Sequence, residues 1–148
     1  MQLVARALVA ALAATVVVAV IAPGASGAIR ITKIYYDSPG ADTGSNASRN
    51  AEWIRLKNTG RTARGLGGWS VRDVLGNAYY FRQFRLRAGR TVTLHTGSGT
   101  DTAGHRYWRS AGYIWDNGRD TARLRRPNDR LVDRCSYNDS GSASSVAC

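Results

Sequence analysis

Apolar side chains in this chain recur at every second position in short runs, and a turn signal stops each run within a few residues. Glu52–Asn58 sets Ile54 and Leu56 on one face and Trp53, Arg55 and Lys57 on the other. A period of two suits a strand half-buried in a sheet; the apolar stripe of a helix repeats about every 3.6 residues and would break that pattern. Leu66–Val71 places Trp69 and Val71 together after Gly67-Gly68. Tyr79 with Phe81, then Phe84 with Leu86, repeat the pattern before Ala88-Gly89, and Thr91–Thr96 alternates up to Gly97-Ser98-Gly99. Further breaks fall at Asn58-Thr59-Gly60, Leu75-Gly76-Asn77, Asp116-Asn117-Gly118 and Pro127-Asn128-Asp129. Thr121–Arg125 and Leu131–Cys135 supply the last strands. Strands at this spacing, with no helical period of useful length after residue 28, predict an all-β sandwich or small barrel.

Two segments need a local adjustment. In the first strand, Ile29–Tyr36, Ile29 and Ile31 share a face while Ile34 has the opposite parity, so a bulge around Lys33 is expected to restore the phase. Asp37–Ala51 is polar and rich in turn formers, and reads as one long loop. Asn46-Ala-Ser48 and Asn138-Asp-Ser140 fit the N-glycosylation acceptor pattern.

The first 28 residues read as an address. Arg6 precedes a sixteen-residue apolar run, Ala7–Ala22, and small residues follow from Ala25 to Ala28. A short positive region, a short apolar stretch and a small-residue cleavage site make an export signal, whereas a spanning helix wants about 20 apolar residues. Residues 1–28 are therefore expected to be a signal peptide. The chain released from it is expected to be secreted and not to be an integral membrane protein. Cys135 and Cys148, the only cysteines, are expected to pair in an oxidising space and tie back the Ser/Gly-rich tail, residues 138–148.

The chemistry-bearing residues are sparse. The chain carries 21 basic side chains against 10 acidic ones, a formal +11. Nearly all the bases are Arg, which a GC-rich genome also produces. Arg82, Arg85, Arg87 and Arg90 cluster without an acid among them, and Trp53 lies beside Arg55 and Lys57 on an outer strand face. Together these seven residues are a candidate surface for an anion or a nucleic acid, with Trp53 suited to stacking on bases or sugars. Asp37, Asp42 and Glu52 gather hard oxygen donors and are a candidate calcium set. The competing reading has Asp37, Asp42 and Asn46 bonded to their own backbone in turns. No other cofactor is expected. His95 reads as outward-facing and His105 as part of a polar loop, Ser98 lacks a following helix, and Glu52 is the only glutamate, so no catalytic residue is expected.

The order of these pieces carries a resemblance. Glu52-Trp-Ile-Arg-Leu-Lys-Asn58, Leu66-Gly-Gly-Trp69, Tyr79-Tyr-Phe81 with Phe84 and Leu86, Leu86-Arg-Ala-Gly89 into Thr91-Val-Thr-Leu94, Tyr107-Trp108, Trp115 and Thr121-Ala-Arg-Leu124 together resemble the lamin tail domain, in its bacterial secreted branch. The resemblance covers about residues 29–137 and implies an immunoglobulin-like β-sandwich with Trp69 and Trp115 in its core. It implies a non-enzymatic binding or scaffolding module, whose partner is expected to be an extracellular protein or a cell-envelope polymer. The second reading is a cationic module that holds nucleic acid unspecifically beside extracellular DNA or nucleotide processing. No heptad rod is present, so the filament assembly of nuclear lamins has no counterpart here.

Overall fold

Two sheets close over one apolar core, one antiparallel throughout and the other antiparallel except at one edge pair. The computed structural model describes residues 28–139 and 143–148. The expected export signal lies outside these residues apart from Ala28, as does Ser140 of the second glycosylation pattern. The first layer is built on β1 (Ile29–Tyr35), β2 (Trp53–Asn58), β7 (Thr91–His95), β8 (His105–Tyr107) and β11 (Ser145–Ala147), in the spatial order β11-β1-β2-β7-β8. The second is β10 (Leu131–Asn138), β9 (Arg119–Arg125), β4 (Ser70–Arg72) and β5 (Ala78–Tyr80), in that order. A two-stranded ribbon pairs β3 (Arg64–Gly65) with β6 (Arg85–Leu86).

Alternation decides what each strand buries. Ile54 and Leu56 of β2, Val92 and Leu94 of β7, and Ile29, Ile31 and Ile34 of β1 meet Val71, Ala122 and Leu124 of the second layer in one cluster. Each Val, Leu or Ile side chain among these contributes about 1.5–3 kcal/mol when fully buried. Trp69, Trp115, Phe81 and Phe84 join them, so both tryptophans take the core positions that the resemblance implies. Tyr36 and Tyr137 stack at 3.9 Å with their planes 6° apart. The fold is the expected immunoglobulin-like sandwich.

The phase change in β1 is present, one residue earlier than expected. The β1–β2 register slips between Ile31 and Lys33, so Thr32 is the extra residue. On the open side of β1, the Ile31 N–H donates to the Asp133 carboxylate of β10 at 2.8 Å, linking the layers where no strand pairs with Ile31 on that side.

Three features depart from the sequence reading. The polar segment before β2 contains a short helix, α1 (Asn46–Ala51), whose N-cap Ser45 side chain accepts from the Ser48 N–H. It buries none of its residues, so no apolar stripe marks it. His105 lies on a strand, not in a loop, because β8 pairs in parallel with β7. Finally, the tail carries a strand, β11, which pairs with Lys33–Tyr35 of β1. The Cys135–Cys148 disulfide forms as expected and ties that strand back to β10.

Candidate functional site

Six of the seven candidate anion-binding residues separate into two places, with Arg82 in neither, and the three candidate calcium ligands fall into two more. On β2, Trp53, Arg55 and Lys57 point outward from the five-stranded sheet, as the alternation requires. Register sets Tyr35 and His95 beside Trp53, and Lys33 and Thr93 beside Arg55. Tyr107 stands beside His95 in turn. One row across four strands is therefore Tyr35, Trp53, His95 and Tyr107, and the adjacent row starts with Lys33 and Arg55.

Within these rows the rings pair off. Tyr35 and Trp53 stack at 5.5 Å, and His95 and Tyr107 at 5.0 Å. The Arg55 guanidinium lies 4.7 Å from the Trp53 ring centre and the Lys33 ammonium 5.9 Å from that of Tyr35. Cation–π contacts of this kind are worth about 0.5–1 kcal/mol at exposed sites and hold a cation at a fixed place over the ring. Trp53 is half-buried between these neighbours, and Lys57 is exposed.

His95 is a structural residue, not a free surface base. Its Nδ1–H donates to the Asn50 carbonyl at 2.8 Å, which leaves Nε2 to accept from His105 Nδ1–H at 3.0 Å. Burial, and then the neighbouring His105, hold its pKa below the ordinary imidazole value. The segment after β7 is clamped by α1. Asn46 and Asn50 side-chain amides donate to the Ser98 carbonyl at 2.9 and 2.8 Å, and the Ser98 N–H donates to Asn46 Oδ1 at 2.7 Å. A Cβ on Gly97 would stand 2.6 Å from both asparagine oxygens, so only glycine lets α1 approach.

Arg85, Arg87 and Arg90 line an open groove of about 910 Å3. Arg106 of β8 joins them, a residue the sequence reading left out because it treated that stretch as loop. Arg82 is exposed but does not line the groove.

The carboxylates do not converge as a calcium site requires, which corrects the grouping of Asp37, Asp42 and Glu52. Asp37 and Asp42 both accept from the Asn117 side-chain amide, at 3.2 and 3.3 Å. Glu52 is fully buried, having the inward parity of Ile54 and Leu56. Its Oε1 accepts from the Thr96 hydroxyl at 2.5 Å, the Ile114 N–H at 2.8 Å and the Trp115 N–H at 3.2 Å. Burial pushes the Glu52 pKa up to about 7, outweighing these three donors. Among the described residues no three His, Cys, Asp or Glu side chains are placed to hold a metal ion. A chelator is accordingly expected to leave the thermal midpoint of the purified protein unchanged; a fall of several degrees that added calcium reverses would contradict this geometry.

The alignment of a family model decides the relationship: the Lamin Tail Domain model matches residues 22–139. The chain belongs to the lamin tail domain family. No curated protein matches it. The lamin tail domain is a non-enzymatic immunoglobulin-like module. Both ring nitrogens that could make His95 a base are engaged, and Glu52 is sealed in the core. Among what this lamin tail domain offers to solvent are the aromatic and cationic face of one sheet and a groove lined by arginines.

Proposed function

We propose that this lamin tail domain is an exported, non-enzymatic binding module that holds a protein or polymer at or outside the cell surface through the outer face of its five-stranded sheet. The observation that carries this reading is the pairing of Trp53 with Arg55 at 4.7 Å and with Tyr35 at 5.5 Å. Aromatic and arginine side chains held in place are what binding hot spots are made of, because little entropy is left to lose on contact. Export is supported by the signal-like residues 1–28 and by the disulfide. No helix among the described residues is long and apolar enough to cross a membrane.

The purified protein, passed over cell-envelope, secreted-protein and DNA fractions, is expected to retain an envelope or secreted component even at high salt. Trp53→Ala with Arg55→Ala is expected to weaken that retention by about 2 kcal/mol, roughly thirtyfold. Equal retention by the double variant, at an unchanged melting midpoint, overturns the assignment to this face.

The second reading, unspecific nucleic-acid binding, is favoured by the same ring and cation, since Trp53 offers a base a π surface beside Arg55 and Lys57. It predicts DNA retention that falls steeply between low and physiological salt. Salt-insensitive retention of envelope material with no DNA bound would exclude it.

A further inference from the structure

We propose that the groove between β6, the turn that follows it and β8 binds phosphate groups repeated along a flexible polymer chain. It adds a ligand class to the binding reading above, and the outer sheet face takes no part in it.

Arg106 is the residue that points to a ligand. Its side chain is only 15% exposed, and its guanidinium lies 4.1 Å from the centre of the Phe84 ring. The nearest carboxylate, Asp101, is 3.9 Å away and is shared with Arg109 at 3.5 Å. Asp101 Oδ1 also accepts the Tyr107 N–H. A charge taken this far from water needs close partners, and one long, shared contact compensates it poorly. The Phe84 ring covers the guanidinium from one side and fixes the plane of its N–H groups before any ligand arrives.

The groove wall adds three more cations and no acid. Arg85, Arg87 and Arg90 are exposed, and their side chains have no hydrogen bond or ion pair with any described residue. Arg30 and Arg72, by contrast, each reach a carboxylate, Asp133 and Asp129. Four guanidinium groups around one depression repel one another, a cost that a bound polyanion turns into attraction. Arg85 at the start of β6 and Arg87 just after it are two residues apart, roughly 6.6 Å along extended backbone, a spacing that lets them meet successive charges of a chain. Phosphate suits these groups because it keeps its charge at any physiological pH and offers oxygens in the fork geometry of arginine.

The test is titration of the purified product of the full chain with inorganic polyphosphate, at several salt concentrations, against polyglutamate of matched length. Polyphosphate is expected to bind at low salt and at least tenfold more tightly than polyglutamate. Arg85→Gln with Arg87→Gln should weaken binding at least tenfold and make the salt dependence shallower by about one for each arginine removed. Arg106→Gln should weaken it as much, but that variant also loses the contact with Phe84, so the exposed pair decides. Trp53→Ala should leave polyphosphate binding unchanged. Poly(glycerol phosphate) and single-stranded DNA, titrated in parallel, separate a wall-type from a nucleic-acid source of the same phosphate chemistry. Absence of binding at low salt, equal affinity for polyglutamate, or unaltered binding by the Arg85/Arg87 variant would overturn the proposal, whatever becomes of the sheet face.

Discussion

Glu52→Gln is expected to remove about 3 kcal/mol of pH-dependent stability that the native chain shows between about pH 4.5 and pH 7. The folded carboxyl has its pKa raised to about 7 from an ordinary 4.5, with burial as the leading cause. The folded state therefore holds the proton more tightly than the unfolded one. Below pH 4.5 both forms are protonated and the contribution is fully present; as pH rises to 7 it is lost, and above that it stays lost. This is the reverse of a salt-bridged carboxylate. The cause is local: Oε1 takes all three donors while Oε2, equally buried, has no partner among the described residues, which makes it the seat of the proton. Glutamine keeps the accepting oxygen and cannot ionise, though it buries an amide in place of Oε2 at a cost of about 1–2 kcal/mol. Denaturant melts of both proteins at pH 4 and pH 8 measure the difference. Asp120, whose carboxyl is also raised by burial, tilts both curves in the same direction and cancels in the comparison. Parallel curves would show that Glu52 is ionised in the folded protein at no cost.

Breaking the Cys135–Cys148 disulfide is the second large effect. In the chain-entropy description, a bridge between residues 13 apart stabilises the fold by about 3 kcal/mol through the unfolded state. Here it also holds an edge strand. β11 makes only three register pairs with β1, and the Cys148 N–H donates to Thr32 O at 3.1 Å. Cys148→Ser is expected to lower stability by about that amount and to expose Lys33–Tyr35 of β1 as an open sheet edge. Limited proteolysis should then cut within the last residues before the rest of the chain, where the oxidised protein resists. If reduction moves neither the unfolding midpoint nor the cleavage pattern, the strand is held by its hydrogen bonds alone.

The legibility of this fold varied with how much burial each residue undergoes. Ile54, Leu56, Val92 and Leu94 announce their strands because one face of each must leave water, and a one-residue slip would turn all of them outward. Even the bulge in β1 was readable to within one residue, since a change of parity among Ile29, Ile31 and Ile34 permits little else. α1 was not readable, because a helix that buries nothing has no stripe; it exists through its Ser45 cap and its asparagine bonds to Ser98. β8 was missed for a related reason. Its three residues are polar or aromatic and become a strand only by lying against β7.

The candidate site shows the same division. Trp53, Arg55 and Lys57 share a face by period alone. Arg85, Arg87 and Arg90 were visible as a cluster in sequence, but Arg106 enters their groove only through the parallel pairing of β8, and Arg82, though their neighbour in sequence, stays outside it.

The sequence by itself determined the layered all-β class, the inward and outward parity of most strands, the pairing of its two cysteines and the family of the domain, because these depend on local alternation, turn chemistry and residue order. Only the tertiary structure decided which donors meet the inward-facing Glu52 carboxyl, that the tail is a strand, and which arginines face one another. Those outcomes depend on contacts between residues far apart in the chain, and no local period encodes which distant group will stand opposite a buried oxygen or a guanidinium.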